Sequence, residues 1–248
     1  MKKLNMKGRE GQKGFTLVEL AVVMIIVGLL IGGILKGQEL ITNAQVASAI
    51  TQTKGLDAAV STFRDSYRSF PGDMANPGTR LPNCTANPCN SAHANAGDGR
   101  ITGIAPGTAA ANNSEAVLFF VQLGAAELIT GVTNDGTATF GAGLPESAVG
   151  GGYYVGYHPG AATLGISAAN ASGGHWLSLR DAPGGPTAGI GALTASQAAR
   201  VDAKMDDSDP TSGSVLADNT NSCTNAAGDA YDEASNPQGC NLYIKIQG

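Results

Sequence analysis

The chain has 248 residues, the size of one ordinary domain or two small ones. Its formal charge is −5, with 14% charged and 5% aromatic residues, 35 glycines and 11 prolines. This composition excludes a coiled coil along the whole chain, and a collagen-like rod is excluded because no strict glycine repeat is present. An apolar fraction of 42% argues against complete disorder. No basic excess is available to neutralise phosphates, so no nucleic-acid site is evident.

The charges are unevenly distributed along the chain. Residues 1–14 hold five basic residues and one acidic residue, whereas the remainder holds ten basic and nineteen acidic residues. A basic start before an apolar segment is typical of a targeting or membrane-orientation signal. We therefore expect an N-terminus in the cytoplasm, a single membrane-spanning segment, and a C-terminal bulk on the other side.

The apolar segment Phe15–Leu35 is 21 residues long. As a helix it would measure about 30 Å, the hydrocarbon thickness of a bilayer. A cleaved secretory signal is the alternative, but its apolar core would be only about 7–15 residues and would end at a small-x-small site. This run is longer and ends without a clear Ala-x-Ala, so a retained membrane anchor fits it better.

Glu19 is the one charged residue inside this apolar run. An ionised carboxylate in a lipid-facing helix costs on the order of 3 kcal/mol, and such residues usually have a partner. No basic residue lies within the run. The partner must therefore come from the chain's own end or from another molecule.

The segment KGFTLVEL at residues 13–20 resembles the class III signal of type IV prepilins and type II secretion pseudopilins. The resemblance implies cleavage between Gly14 and Phe15 by a prepilin peptidase, and N-methylation of the new Phe15 amine. It also implies that the helix is kept, and that an assembly platform with an ATPase extracts mature subunits from the inner membrane into a filament of pilins.

The physical chemistry of these positions agrees with that implication. Glycine at position 14 lets the backbone approach a protease closely. Cleavage would create a cation at Phe15, and the terminal amine of a neighbouring subunit would be a counter-ion for Glu19. Such a pair would fix the axial register of stacked helices, and losing one partner would cost about 3–5 kcal/mol.

The helix is expected to continue beyond the membrane. Apolar or small residues recur at alternating steps of three and four, typical of one buried face, at Val46, Ala49, Thr53, Leu56, Val60, Phe63 and Tyr67. Pro71 disfavours helix at Phe70, so the pattern predicts a helix from Phe15 to about Arg68. Within it lie Gly28, Gly32, Gly33 and Gly37, which indicate either close helix packing or a segment that unwinds on leaving the lipid.

We predict an α+β, pilin-like fold in which the long N-terminal helix packs on a small antiparallel sheet with extended glycine-rich loops. The expected parts are a leader at 1–14, a membrane or filament-core helix at 15–35, its amphipathic continuation at 36–70 and a head at 71–248. In the head, residues 72–112 read mostly as loop. The predicted elements are a helix at Ser114–Ile129, capped by Asn113 or Ser114 with Gly131 past its end, strands at Gly152–Tyr157, Trp176–Leu179 and Leu242–Ile246, and a helix to about Met205 opened by the capping box Thr194-x-x-Gln197.

Three segments of the head resemble, more weakly, a pattern in many larger prepilin-like proteins. They support membership in the superfamily but assign no role. They are FPGDM at 70–74, GDGRI at 97–101, and KMDD at 204–207 through Ser212 and Gly213.

The four cysteines lie on the side expected to be outside the cytoplasm, where disulfides persist. Four cysteines allow three connectivities, of which we favour Cys84–Cys89 and Cys223–Cys240 because both close local loops. A zinc site using Cys89 and the nearby His93 is the alternative, although the chain has no CxxC motif.

Asp206, Asp207 and Asp209, with Asp202 one helical turn earlier, form the densest acidic cluster. A hard cation such as Ca²⁺ would suit clustered carboxylates outside the cell, although the full twelve-residue calcium-loop pattern is missing. The alternative is a solvated helix C-terminus and turn. Apart from this possible Ca²⁺, no cofactor is expected.

Few features indicate catalysis. The chain contains no GxSxG, GxxxxGK[ST] or HExxH motif, and no GxGxxG follows a strand. His93, His158 and His175 form no obvious constellation, although a triad is recognised by geometry rather than by sequence position. We do not expect an enzyme.

The leading interpretation is a structural subunit of an extracellular or periplasmic filament. It would be a type IV pilin, major or minor, serving adhesion, motility or DNA uptake. The alternative within the resemblance is a pseudopilin of a type II secretion system, and the size of the head favours the pilus. A single-pass anchored enzyme or binding module is the alternative of a different class.

Overall fold

A computed structural model describes the chain at residues 15–102, 111–160, 171–184, 190–218, 223–234 and 238–246. These residues fall into two compact units, one up to Asn43 and one from Ala44 onward. The helix α1 (Leu17–Tyr67) contributes residues to both units. The predicted helix from Phe15 to about Arg68 is confirmed to within two residues at each end.

In the first unit, no residue from 15 to 43 is buried. The helix runs without a break through Gly28, Gly32, Gly33 and Gly37, and a Cβ added at any of the four would meet nothing within 4 Å. This structure of a single chain therefore contains no unwound segment at the glycines. It also places no other described group against them.

In the second unit, one face of α1 is buried in the head. The buried residues are Val46, Ala49, Ile50, Thr53, Leu56, Ala59, Val60 and Phe63. This set confirms the predicted stripe, except that Tyr67 is only partly buried and Ile50 and Ala59 join it. The helix ends as Arg68 enters the left-handed region, with φ of 50°, three residues before Pro71.

The sheet has four antiparallel strands in the order β1-β2-β4-β3, where β1 is Gly152–His158, β2 is Gly174–Arg180, β3 is Val215–Ala217 and β4 is Leu242–Lys245. Tyr154 pairs with Ser178, and Ile244 pairs with both Leu177 and Val215. The predicted fold class, a long helix with a small antiparallel sheet, is confirmed. The strand β3 was not predicted, because three residues are too few to display an alternating pattern.

Three further helices complete the head: α2 (Pro77–Arg80), α3 (Glu115–Ala125) and α4 (Ala195–Met205). The short α2 interrupts a segment predicted as loop. The capping box of α4 is present as predicted, with Thr194 and Gln197 each accepting the other's backbone N–H. Residues 103–110 of the predicted loop lie outside the described residues.

The helix α3 ends four residues earlier than predicted. Glu127 takes the left-handed conformation, with φ of 58°. Its N–H donates to the Gly124 carbonyl oxygen, and the Leu128 N–H donates to the Leu123 carbonyl oxygen. These two bonds form a Schellman motif, whose left-handed position is usually a glycine. The prediction that α3 continues to Ile129, with Gly131 just past its end, was wrong. The left-handed residue that ends the helix is Glu127, not a glycine.

Gly72 brings the turn after α1 against the side of α3. Its φ is +80°, and its N–H donates to Gln122 Oε1 at 2.6 Å. A Cβ at this position would lie 2.3 Å from the Glu115 carbonyl oxygen and 2.9 Å from the Phe119 nitrogen. Only glycine fits both the conformation and the space.

We predict that Gly72→Ala lowers the free energy of unfolding by on the order of 2–3 kcal/mol, because it combines a strained φ with a backbone clash. Gly55→Ala is the matched control: Gly55 is exposed within α1 with nothing within 4 Å of an added Cβ. This control should stabilise the chain by up to about 1 kcal/mol. Urea unfolding of the full chain in detergent measures both, and equal effects would contradict the packing described.

His175 is buried, and its Nε2 accepts the Ile101 N–H at 3.3 Å. Burial, helped by the nearby Arg64 charge, lowers the pKa of His175 to about 4. Protonation therefore favours the unfolded chain. The stabilisation from neutral His175 is present above about pH 6.5 and is lost as the pH falls toward the folded-state pKa.

Between about pH 7 and pH 4.5, we predict that the wild type loses on the order of 2–3 kcal/mol more unfolding free energy than His175→Gln. The difference between the two pH curves isolates this histidine from the carboxylates that titrate in the same range. Parallel curves would show that His175 is protonated equally easily in the folded chain.

Candidate assembly site

The N-terminal unit exposes a continuous apolar surface. Phe15 is 84% exposed and Leu17 87%, and among the described residues the only exposed large hydrophobic side chain beyond Ile41 is Ile190. Soluble monomeric proteins rarely expose apolar patches larger than a few hundred Å². By length and composition, α1 is long and apolar enough to cross a membrane. This surface therefore needs lipid or other protein surfaces around it.

Glu19 lies in the first turn of α1 and forms a capping box with Thr16. Glu19 Oε2 accepts both the Thr16 N–H and the Thr16 hydroxyl at 2.9 Å, and the Thr16 hydroxyl oxygen accepts the Glu19 N–H at 3.2 Å. Thr-x-x-Glu before an apolar run is a recognised start signal for a helix. Sequence reasoning treated Glu19 only as a charge needing a partner and missed this local role, although the signal was readable.

The capping box occupies one carboxylate oxygen of Glu19. No hydrogen bond to Oε1 occurs within the described chain, so this second oxygen is accessible to a further donor. Thr16 can neutralise no charge, because its groups are uncharged donors. Gly14, the other half of the predicted cleavage site, lies outside the described residues, whereas Phe15 is described and exposed.

The structure brings two of the three weaker motifs together. Asp73 Oδ1 accepts the Gly97 N–H at 2.5 Å and the Asp98 N–H at 3.2 Å, while Oδ2 accepts the Gly99 N–H at 2.9 Å. Asp73 is buried, and this burial raises its pKa. The two segments thus form one structural unit in which a buried carboxylate holds a turn.

The third motif holds the acidic cluster. Carboxylate oxygens of Asp202, Asp206 and Asp207 lie within 4.8 Å of one another, so the structure brings together two of the three predicted ligands. Asp209 does not belong to this group, and its Oδ1 accepts the Thr211 N–H and hydroxyl at 2.9 and 2.7 Å.

The clustered carboxylates are also used by the protein itself. Asp206 Oδ2 accepts the N–H groups of Ser214 and Val215, and Asp207 Oδ2 accepts the Ser212 hydroxyl at 2.6 Å. These bonds close the turn between α4 and β3. Such bonds are expected if the cluster is a helix C-terminus followed by a turn, which is the alternative to a Ca²⁺ site.

Both favoured disulfides are bonded in the structure. Cys84 pairs with Cys89, and Cys223 pairs with Cys240, with Cα separations of 5.2 and 4.7 Å. No cysteine remains a free thiol. The alternative zinc site at Cys89 and His93 therefore lacks its thiolate ligand, because a disulfide sulfur carries no charge to bind the metal.

The three histidines are separated by their partners. His93 Nδ1 lies 3.2 Å from Oε1 of the buried Glu115, His158 Nδ1 accepts the Gly160 N–H at 3.0 Å, and His175 accepts from Ile101. Across the parts of the chain with assigned positions, none of them hydrogen-bonds a hydroxyl or thiol. The geometry there resembles no nucleophile–base pair.

Comparison with known proteins gives a family match at the N-terminus and similarity to fimbrial proteins. The family of the prokaryotic N-terminal methylation motif matches residues 9–35. A fimbrial protein of Moraxella nonliquefaciens is 45% identical over 60 residues, covering 24% of this chain and 39% of that protein. A fimbrial protein of Neisseria meningitidis serogroup B (strain ATCC BAA-335 / MC58) is 38% identical over 68 residues, covering 27% and 40%.

The chain spans about two fifths of the length of these curated relatives. No solved structure matches the chain. The family match covers the segment that includes Phe15 and Glu19. Its N-terminal region carries the prokaryotic N-terminal methylation motif, and the chain is similar to fimbrial proteins.

Proposed function

We propose that this protein is a structural subunit of a helical filament, a type IV pilin that assembles through its N-terminal helix. The observation that carries the proposal is the exposed apolar surface of residues 15–35, which contains the single charge of Glu19 and lies within the match to the methylation motif at residues 9–35. The similarity to two fimbrial proteins supports it. Residues 15–35 form the filament core, 36–70 continue the helix and 71–248 form the head.

Assembly begins with cleavage between Gly14 and Phe15 by a prepilin peptidase and methylation of the new Phe15 amine. The mature subunit waits in the inner membrane as a single-pass protein with its N-terminus at the cytoplasmic side. An assembly platform and ATPase then move it into the filament. Packing against the helices of neighbouring pilins replaces the lipid around the apolar surface, so little apolar area is exposed to water at any step.

Glu19 sets the register of this packing. Its Oε2 accepts two hydrogen bonds from Thr16, whereas its Oε1 has no hydrogen bond inside the described chain. In the filament, the Phe15 amine of an adjacent copy donates to this carboxylate and neutralises it. A buried ion pair contributes little net stability but strongly disfavours any arrangement that leaves one charge alone.

A pseudopilin of a type II secretion system would use the same helix and the same cleavage. The two functions separate by phenotype: loss of a surface filament that can be sheared off and contains this chain supports the pilin, and loss of exoprotein secretion on deletion supports the pseudopilin. A single-pass anchored enzyme or binding module would have no use for the Glu19 charge.

Glu19→Gln is the sharpest test of the assembly role. Glutamine at this helix position keeps the capping box with Thr16 but removes the charge. We predict that the variant is made, cleaved and inserted normally, while the yield of sheared filaments falls more than about tenfold, since an unpaired buried amine costs about 3–5 kcal/mol.

Two control variants test whether the effect of Glu19→Gln comes from the lost charge at this position. One removes a carboxylate elsewhere in the helix, and the other removes the capping box. Glu39→Gln removes an exposed carboxylate of the same helix, one that pairs with Lys36 at 2.6 Å. Thr16→Ala removes the capping box but keeps the Glu19 charge. Both controls should still yield filaments. Wild-type amounts of filament from Glu19→Gln would exclude charge pairing as the assembly device.

Gly14→Ala tests the cleavage step. A side chain at this position hinders the close approach of the peptidase to the backbone, so full-length precursor should accumulate in the membrane. Gly11→Ala, in the same leader, should be processed normally. Mass spectrometry of the intact protein provides the readout: wild type that keeps Met1, or that is cut elsewhere, would contradict membership in a cleaved and methylated filament system.

A further inference from the structure

A cleft with a volume of about 740 Å³ lies in the head beside the end of α1. Its walls come from the last turns of α1, from the segment that leads into α2 and from the turn at residues 97–99 held by Asp73. Its charged and aromatic lining consists of Arg64, Asp65, Arg68, Phe70, Asp73 and Arg80. Neither the fold nor the assembly mechanism requires three arginines to meet here.

No carboxylate neutralises these arginines within the chain as described. The contacts Lys36–Glu39 and His93–Glu115 both lie outside the cleft. The guanidinium of Arg64 stacks on the Phe70 ring at 4.4 Å from its centroid, and Arg80 donates to the Tyr67 carbonyl oxygen. Each contact orients a guanidinium and leaves most of its five N–H donors facing the cleft or solvent.

The two acidic residues of the lining do not cancel this charge. Asp73 is buried, and its oxygens already accept three backbone N–H groups from the turn at residues 97–99. Asp65 lies beyond ion-pair distance of all three arginines. The cleft therefore presents three cations, two of them held in place, with one exposed acid at its wall.

The charge of the rest of the head makes this arrangement selective. Residues 44–248 contain nine basic and seventeen acidic residues, so three of the nine basic residues meet in one cleft of an otherwise acidic surface. A long polyanion such as nucleic acid would be repelled by the surroundings. A small anion that fits inside the cleft would not be.

We propose that this cleft binds a small solute through an oxyanion, the phosphate or carboxylate group of a compound such as a phosphorylated or acidic sugar. Arginine is suited to this role because its planar fork donates two parallel hydrogen bonds to such a group. Phe70 lines the cleft and orients Arg64 through the stacked guanidinium, and Asp65 supplies an acceptor for a ligand hydroxyl. This site does not depend on filament assembly, because one subunit provides every residue.

The test uses the full-length chain in detergent with inorganic phosphate and glucuronate as probes, measured by isothermal titration calorimetry and by the rise in melting temperature with ligand. Wild type should bind at least one probe in the millimolar range or more tightly. The double variant Arg68→Gln/Arg80→Gln should bind at least about tenfold more weakly, as expected for lost charge-assisted hydrogen bonds. Lys54→Gln, an exposed charge of the same helix outside the cleft, is the matched control and should bind as wild type does.

Phosphate and glucuronate distinguish the two kinds of oxyanion, and binding of either one supports the proposal. It would be overturned if neither probe binds the wild type, if the double variant binds as tightly as the wild type, or if Lys54→Gln loses affinity equally. Binding of a short single-stranded DNA without binding of either small anion would also overturn it, in favour of a polyanion surface. Arg68→Lys keeps the charge but loses the fork, and an affinity between those of wild type and double variant is expected.

Discussion

The account of this protein depends on one carboxylate placed in an apolar helix. Glu19 is the single charge among the 21 residues from Phe15 to Leu35, where an ionised group without a counter-ion is costly. The chain satisfies this group only partly, through the capping box with Thr16. A hydrogen-bonded carboxylate still carries its full negative charge. The need for a cation from outside the chain is what turns an exposed helix into an assembly element in our proposal.

The head shows how an acidic, glycine-rich chain uses its carboxylates to hold its own backbone. Carboxylates accept backbone N–H groups: the buried Asp73 from the turn at residues 97–99, the buried Glu115 from Thr102, and the exposed Asp206 from Ser214 and Val215. These bonds fix long connections that have little secondary structure of their own. Two disulfides close the remaining local loops. In the described chain, the arginines of the cleft have no carboxylate partner.

Much of the fold was predictable because long periodic signals are strong. The stripe from Val46 to Phe63 repeats over five turns, and the box of Thr194 and Gln197 is a specific local pattern, so both elements were located correctly. The strand β3 and the early end of α3 were not predicted. The strand β3 is too short to show a periodic pattern, and the end of α3 depends on Glu127 adopting a left-handed conformation that is usual for glycine.

In the candidate site too, features set by local spacing were predictable from the sequence, and features set by tertiary contacts were not. The motif at residues 13–20 was readable, and so were the disulfide pairs, because both rest on local spacing. The joining of Asp73 to Gly97, and the meeting of Arg64 with Arg80, depend on tertiary contacts across sixteen or more residues. No single-sequence pattern encodes such contacts. The Thr16–Glu19 capping box is a local pattern that could be predicted from the sequence, but Glu19 was interpreted only as a charge that needs a counter-ion.

The most direct measurement is a structure of the assembled filament at a resolution that shows side chains. Our account predicts that the Glu19 carboxylate of each subunit lies within hydrogen-bond distance of the methylated Phe15 amine of an adjacent subunit, deep among packed apolar helices. A filament in which that carboxylate faces lipid-like or aqueous space, with no cation beside it, would contradict the account.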